Sequence, residues 1–257
     1  MAQFFVVRLV IMNNLPMLFT NDEVIKNFDS QKQLANWLAL AQKNSKIKRI
    51  RNGLYAVVDP ITKSSIANKF QIASKVSPSA FVAYHSALEY YGLANQVFGE
   101  VTVGSLVHFN NFQFEGIDYN LKKENNDKFV VNVANEHIKV TSRERTIVDC
   151  IDNITLSGGI EEVLNAMNQI KVVSTAELLK VLADKNEIFL YQKTGYLLEF
   201  FKEQMSLPEF FFQQCKSKIT KKARYFLHDE FKEVVFNGKW NLIAPINPLV
   251  RIYGGVE

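Results

Sequence analysis

The chain has 257 residues, 47% of them hydrophobic and 22% charged, with a formal net charge of +4. This composition belongs to a folded globular protein of one large or two modest domains and is not that of a disordered or membrane protein. No apolar run approaches the ~20 residues of a spanning helix. The apolar start has no basic leader and carries Arg8 inside it, so neither secretion nor membrane attachment is expected, and the expected setting is the cytoplasm.

Cys150 and Cys215 are too far apart for a disulfide framework or a metal-binding spacing. The charge is uneven. Residues 1–59 hold eight Lys/Arg against four Asp/Glu, which leaves the rest of the chain neutral. An anionic partner is therefore expected at the N-terminal quarter.

Residues 2–14 could supply a first helix, although their β-branched content argues against it. Thr20, followed by Asp22 and Glu23, reads as the cap of a short helix running to about Phe28. Asp29 and Ser30 then open a second helix, in which Leu34, Trp37, Leu38 and Ala41 form one buried stripe. Its opposite face carries Lys32, Asn36, Ala39 and Lys43. The two lysines suit phosphates, Asn36 suits an adenine edge, and Ala39 lets the helix approach closely.

Next comes KNSKIKRIRNGLYAVVDP, residues 43–60, with IKRIR and LYAVV as two strands about Asn52-Gly53. That pair predicts a two-residue hairpin with a type I′ turn, in which both residues take positive φ. Two helices followed by a basic hairpin is the layout of a winged helix-turn-helix over residues 1–76. Lys46, Lys48, Arg49, Arg51 and Asn52 would then lie on its wing, against DNA backbone and minor groove.

RNGLYAVVDP behind two short helices resembles the N-terminal domain of the AbiEi family. These are antitoxins of type IV (AbiE) toxin–antitoxin and phage abortive-infection systems. SPSAFVAYHSALEYYGLANQVFGEVTVGS, IKVTSRERTIVDCID, GGIEEVLNAM and KTGYLLEFF are similar to that family's segments in the same order, over roughly residues 15–245. The resemblance implies a winged helix that binds inverted repeats in double-stranded DNA of its own promoter and represses the operon. It also implies a larger C-terminal domain that counters a nucleotidyltransferase toxin of the AbiEii type. The implied protein needs no cofactor or metal and is a monomer or weak dimer that binds DNA cooperatively. The apolar FFVVRLVIM is longer and more β-branched than that family's first helix.

After residue 76 the pattern continues as a capped helix in TKSSIANKFQIASKV and a helix spaced on Ala80, Ala83, Ala87 and Tyr91. Alternating strand-like runs follow from EVTVGS at Glu100 to HIKVTS ending at Ser142, then four or five helices from Ser142 to about Ile219. Three short strand-like pieces sit near 223–228, 234–236 and 241–243. The expected class is α+β, with residues 77–257 as a mixed C-terminal domain, sheet then helices.

The enzyme alternatives are thin. Gly104-Ser105 with Asp118-Tyr119-Asn120 imitates a nucleotidyltransferase, but Asn120 stands where a second carboxylate should hold metal. His228-Asp229 imitates a phosphohydrolase dyad, with His85, His108 and His137 as ligands by guesswork alone. The RERTIVD segment reads as a helix start: Ser142 caps it, and Glu144 or Asp149 pairs with Arg145. A second basic block, Lys216, Lys218, Lys221, Lys222 and Arg224, is either a solvated helix end or a second phosphate-contacting patch. A ligand-sensing winged-helix regulator is the main alternative function, and a nucleic-acid- or nucleotide-processing enzyme the lesser one.

Overall fold

The computed structural model describes residues 15–220, 222–228 and 230–254, which form an α+β fold divided between two compact units. Of the described residues, one unit comprises those within 15–81, 99–124 and 134–138, and the other those within 82–98, 125–133 and 139–254. The helix considered within residues 2–14 lies outside the described residues. Among the described residues no helix is long and apolar enough to cross a membrane.

In the first unit, Thr20 both accepts from the Glu23 N–H and receives the Glu23 carboxylate on its own N–H. This capping box starts α1 (Asn21–Val24), and one 3₁₀ turn, Ile25–Asn27, completes the short helix. Ser30 caps α2 (Gln31–Lys43) by accepting from the Gln33 N–H at 3.3 Å. Leu34, Trp37, Leu38 and Ala41 are buried at its i, i+3, i+4 and i+7 positions, as the spacing predicts. They close over Phe19, Val24, Ile47 and Tyr55, with Phe19 and Tyr55 stacked at 5.6 Å.

Strands β1 (Leu18–Thr20), β2 (Ile47–Arg51) and β3 (Leu54–Val57) form an antiparallel sheet in the order β1-β3-β2. The hairpin is where Asn52-Gly53 places it, but of that pair Gly53 alone has positive φ, +74°, so the turn is not type I′. Next to it the register shifts between Arg49 and Arg51, a β-bulge about Ile50.

Further along the same unit, Asn68 caps α3 (Lys69–Lys75) in a second capping box with Gln71. This helix is less than half the capped segment expected there. Strands β5 (Glu100–Ser105) and β7 (Ile117–Lys123) are parallel neighbours, while β6 (Phe112–Phe114) pairs antiparallel with β7. The β6–β7 turn is Glu115-Gly116, and both residues have positive φ, +50° and +80°. The paired left-handed conformation expected at Asn52-Gly53 therefore occurs here.

The helix expected across Ala80–Tyr91, a span in which the chain passes from the first unit into the second, is shorter. Strand β4 (Phe81–Val82) comes first, and Val82 pairs in parallel with Val140 of β9 (Ile138–Thr141). Tyr84 then takes φ +54°, which a helix does not admit, and α4 spans His85–Tyr90. Strand β8 is Val130–Val133.

Helices α5 (Arg143–Asp152), α6 (Ile160–Gln169), α7 (Thr175–Lys185), α8 (Ile188–Glu199) and α9 (Glu209–Lys218) bury a core that includes Ile147, Val148, Leu164, Leu182, Leu197, Phe211 and Trp240. Ser142 caps α5 through the Arg145 N–H at 3.2 Å. Asp149, fully buried, accepts from Arg145 Nε at 3.1 Å, and Lys185 Nζ lies 2.5 Å from its other oxygen. A small sheet β10-β12-β11 (Arg224–Tyr225, Leu242–Ala244, Val235–Asn237) and α10 (Val250–Tyr253) end the unit.

Candidate nucleic-acid interface

The outward face of α2 is set by the same periodicity that buries its other side. Lys32, Asn36, Ala39 and Lys43 are all exposed. They run along the helix over about 16 Å at 1.5 Å per residue. Two cations flank an amide and a small residue, a pattern that suits phosphate grip at the ends and base contact between them.

The structure sorts the hairpin cations into two kinds. Lys46 and Arg49 are exposed. Arg49 Nη2 donates to the exposed Asn52 Oδ1 at 2.9 Å, so guanidinium and amide form one polar tip beside the turn. Lys48 is instead ion-paired with Glu115, whose carboxylate also accepts from the Ser65 N–H at 3.1 Å. The Arg51 guanidinium lies 5.2 Å from the Phe109 ring centre and 5.6 Å from that of Phe112. Its Nη1 is buried with no hydrogen-bond partner among the described residues. Phe112 itself stacks on the buried Tyr119 at 4.8 Å, and burial pushes the Tyr119 hydroxyl well above the usual phenol value.

The bulge explains this division. Ile47, Tyr55 and Val57 pack on the α2 side of the sheet, and strand alternation puts Lys48 on the other side. One extra residue in a strand reverses the faces beyond it. Without the bulge Arg51 would share the side of Ile47 and Arg49; with it, Arg51 joins Lys48 against the 109–119 segment.

Glu115, Phe109 and Phe112 were not singled out from the sequence. The Glu115-Gly116 pair between alternating runs is a legible turn signal, but nothing local links Glu115 to Lys48, 67 residues away.

The second basic block belongs to the other unit. Lys216 and Lys218 are exposed in the last turn of α9, and Lys222 and Arg224 are exposed beyond it, while Lys221 lies outside the described residues. Two of these cations rest on aromatic rings, Lys216 on Trp240 at 5.8 Å and Arg224 on Phe189 at 5.1 Å.

Among the described residues, the groups named for the catalytic alternatives lie as follows. Asp118 pairs in register with Glu100, at the start of β5, whereas Ser105 ends that strand. Five residues of strand separate them, roughly 16 Å. Asp118 accepts from Gln113 Nε2 at 3.0 Å. His228 is exposed beside Tyr225, and its neighbour Asp229 lies outside the described residues. His85 is buried against Glu162, its Nε2 3.2 Å from Oε1, and stacks on Phe98 at 4.2 Å. Among the described residues no group of three or more His, Cys, Asp or Glu could hold a metal ion.

No protein-family model matches the chain, and no curated protein does. In fold it is similar to the crystal structure of the RV2827C protein from Mycobacterium tuberculosis, with a TM-score of 0.65 and 12% identity. That likeness covers 96% of this chain and 93% of the other.

Proposed function

We propose that the chain is a DNA-binding antitoxin that represses its own operon, with α1, α2 and the β2–β3 hairpin acting as a winged helix-turn-helix. The observation that carries the DNA-binding half is the exposed Lys32–Asn36–Ala39–Lys43 face of α2, followed in the chain by a hairpin bearing the Arg49–Asn52 tip. In this reading α2 enters the major groove, and the hairpin lies on the backbone and in the adjacent minor groove. Partner DNA is double-stranded and two-fold repeated, so two copies bind it, either as a weak dimer or as monomers side by side with cooperativity. The antitoxin half rests on the resemblance of five sequence segments to the AbiEi family, and its functional partner would be a nucleotidyltransferase toxin of the AbiEii type.

The test is binding of the purified protein to labelled DNA from upstream of its own gene, against scrambled DNA, over a salt series. Tight, salt-sensitive binding that prefers the native fragment is expected. Equal affinity for both fragments would reduce the hairpin to a solvated surface. Co-expression with the neighbouring gene tests the other half: growth arrest by that gene alone and rescue by this chain are expected.

A further inference from the structure

The hairpin carries more positive charge than it can offer to a ligand. We infer that its cations form two sets: Lys46 and Arg49 are available to phosphate, while Lys48 and Arg51 are positioning residues that clamp the hairpin to Glu115, Phe109 and Phe112.

Five observations support the division. Lys48 is already neutralised by Glu115, and that carboxylate is itself held by the Ser65 N–H. The Glu115-Gly116 turn delivers it there with two successive left-handed residues. The Arg51 guanidinium lies against two rings with one nitrogen fully buried, so no phosphate reaches that nitrogen without dismantling the contact. Strand alternation places Lys48, and the bulge about Ile50 places Arg51, on the side of the sheet away from α2. Arg49 remains at the exposed tip beside Asn52.

A lysine that binds a phosphate releases a condensed counterion and adds about 0.9 to the magnitude of the salt slope of binding to duplex DNA. A lysine that holds an internal carboxylate in both the free and the bound protein releases none. A charge count from the sequence therefore overestimates the hairpin's contribution to the salt slope by about two units.

This partition rests on the DNA-binding reading, and the experiment separates the two. Lys46→Ala, Lys48→Ala, Arg49→Ala and Arg51→Ala variants of the full chain would each be titrated with the upstream fragment from 50 to 300 mM salt. Amide hydrogen exchange of residues 47–57 would be followed in the same proteins without DNA. The expected result is a slope shallower by about 0.9 for Lys46→Ala and for Arg49→Ala, with hairpin exchange unchanged. For Lys48→Ala and Arg51→Ala the expected result is an unchanged slope and hairpin exchange severalfold faster. Shallower slopes for Lys48→Ala or Arg51→Ala, equal to those of the other pair, would overturn the partition. So would hairpin exchange that stays at the parent rate in both, a result read without DNA. Loss of the DNA reading alone would appear as a parent protein that binds no DNA at any salt, with the exchange difference intact.

Discussion

Asn36 and Arg49 carry the sharpest residue-scale expectations. Asn36→Ala removes a candidate amide contact to a base from an exposed position, so helix stability should change little. Affinity for the native fragment should fall by about 1–3 kcal/mol while affinity for scrambled DNA holds, as competition binding would show. Chemistry is as telling as binding. Burial pushes the Cys150 thiol up to about 12 and does the same to Cys215, and both are free. At pH 8 the thiolate fraction of such a group is about one in ten thousand, so a disulfide reagent should leave the native protein unmodified and titrate two thiols once urea unfolds it.

Asp184 bears on acid stability. The hydrogen bond from Lys128 at 2.6 Å, with one from Asn126 at 3.0 Å, holds its carboxyl below the usual value. Its contribution is present above the unfolded value of about 3.9 and is lost as pH falls through the lower folded value. Asp184→Asn should flatten the acid limb of urea stability below about pH 4 and leave the limb above pH 6 parallel to that of the parent.

At the scale of elements, the helices of the second unit are positioned by close approaches that no periodicity announces. A Cβ on Gly195 of α8 would sit 2.1 Å and 2.3 Å from two ring atoms of Trp240, whose Nε1 donates to Glu199 Oε2 at 2.9 Å. Gly195→Ala should therefore destabilise the protein by about 1–3 kcal/mol through overpacking, measured by urea unfolding at Trp240 fluorescence in a Trp37→Phe background.

Caps and stripes were legible in the sequence because their causes are local. Thr20, Ser30 and Ser142 cap where their side chains predict, and Arg145–Asp149 pair at helical spacing. The helix expected at Ala80–Tyr91 fails for a non-local reason. Phe81 packs where Gly104 leaves room, a Cβ there falling 2.3 Å from its ring, and this holds residues 81–82 extended. The hairpin was legible as a hairpin. The bulge inside it was not, because an extra residue in a strand has the same composition as the strand.

For the whole molecule, the α+β class and the N-terminal order of two helices and a hairpin followed from pattern alone, but the partition of the chain did not. Residues 99–124 and 134–138 belong to the same unit as the N-terminal segment. That membership depends on pairings such as Lys48 with Glu115 and Gln71 with the Glu136 carbonyl, across 67 and 65 residues. A fragment ending at residue 76 would keep the α2 face and the Arg49–Asn52 tip but lack Glu115, Phe109 and Phe112. Its hairpin amides should exchange at near-unprotected rates while those of α2 remain slower, a contrast that mass spectrometry of the fragment would register.

The interleaving also bears on synthesis. The ribosome makes Lys48 and Arg51 long before their partners in the 109–119 segment, and that segment is followed by a stretch of the other unit before Gln71 meets Glu136. The N-terminal unit is therefore not finished in the order in which it is made. A nascent chain carrying a complete α2 still has an unfastened hairpin, so any hold such a chain takes on nucleic acid is provisional until some sixty further residues have emerged.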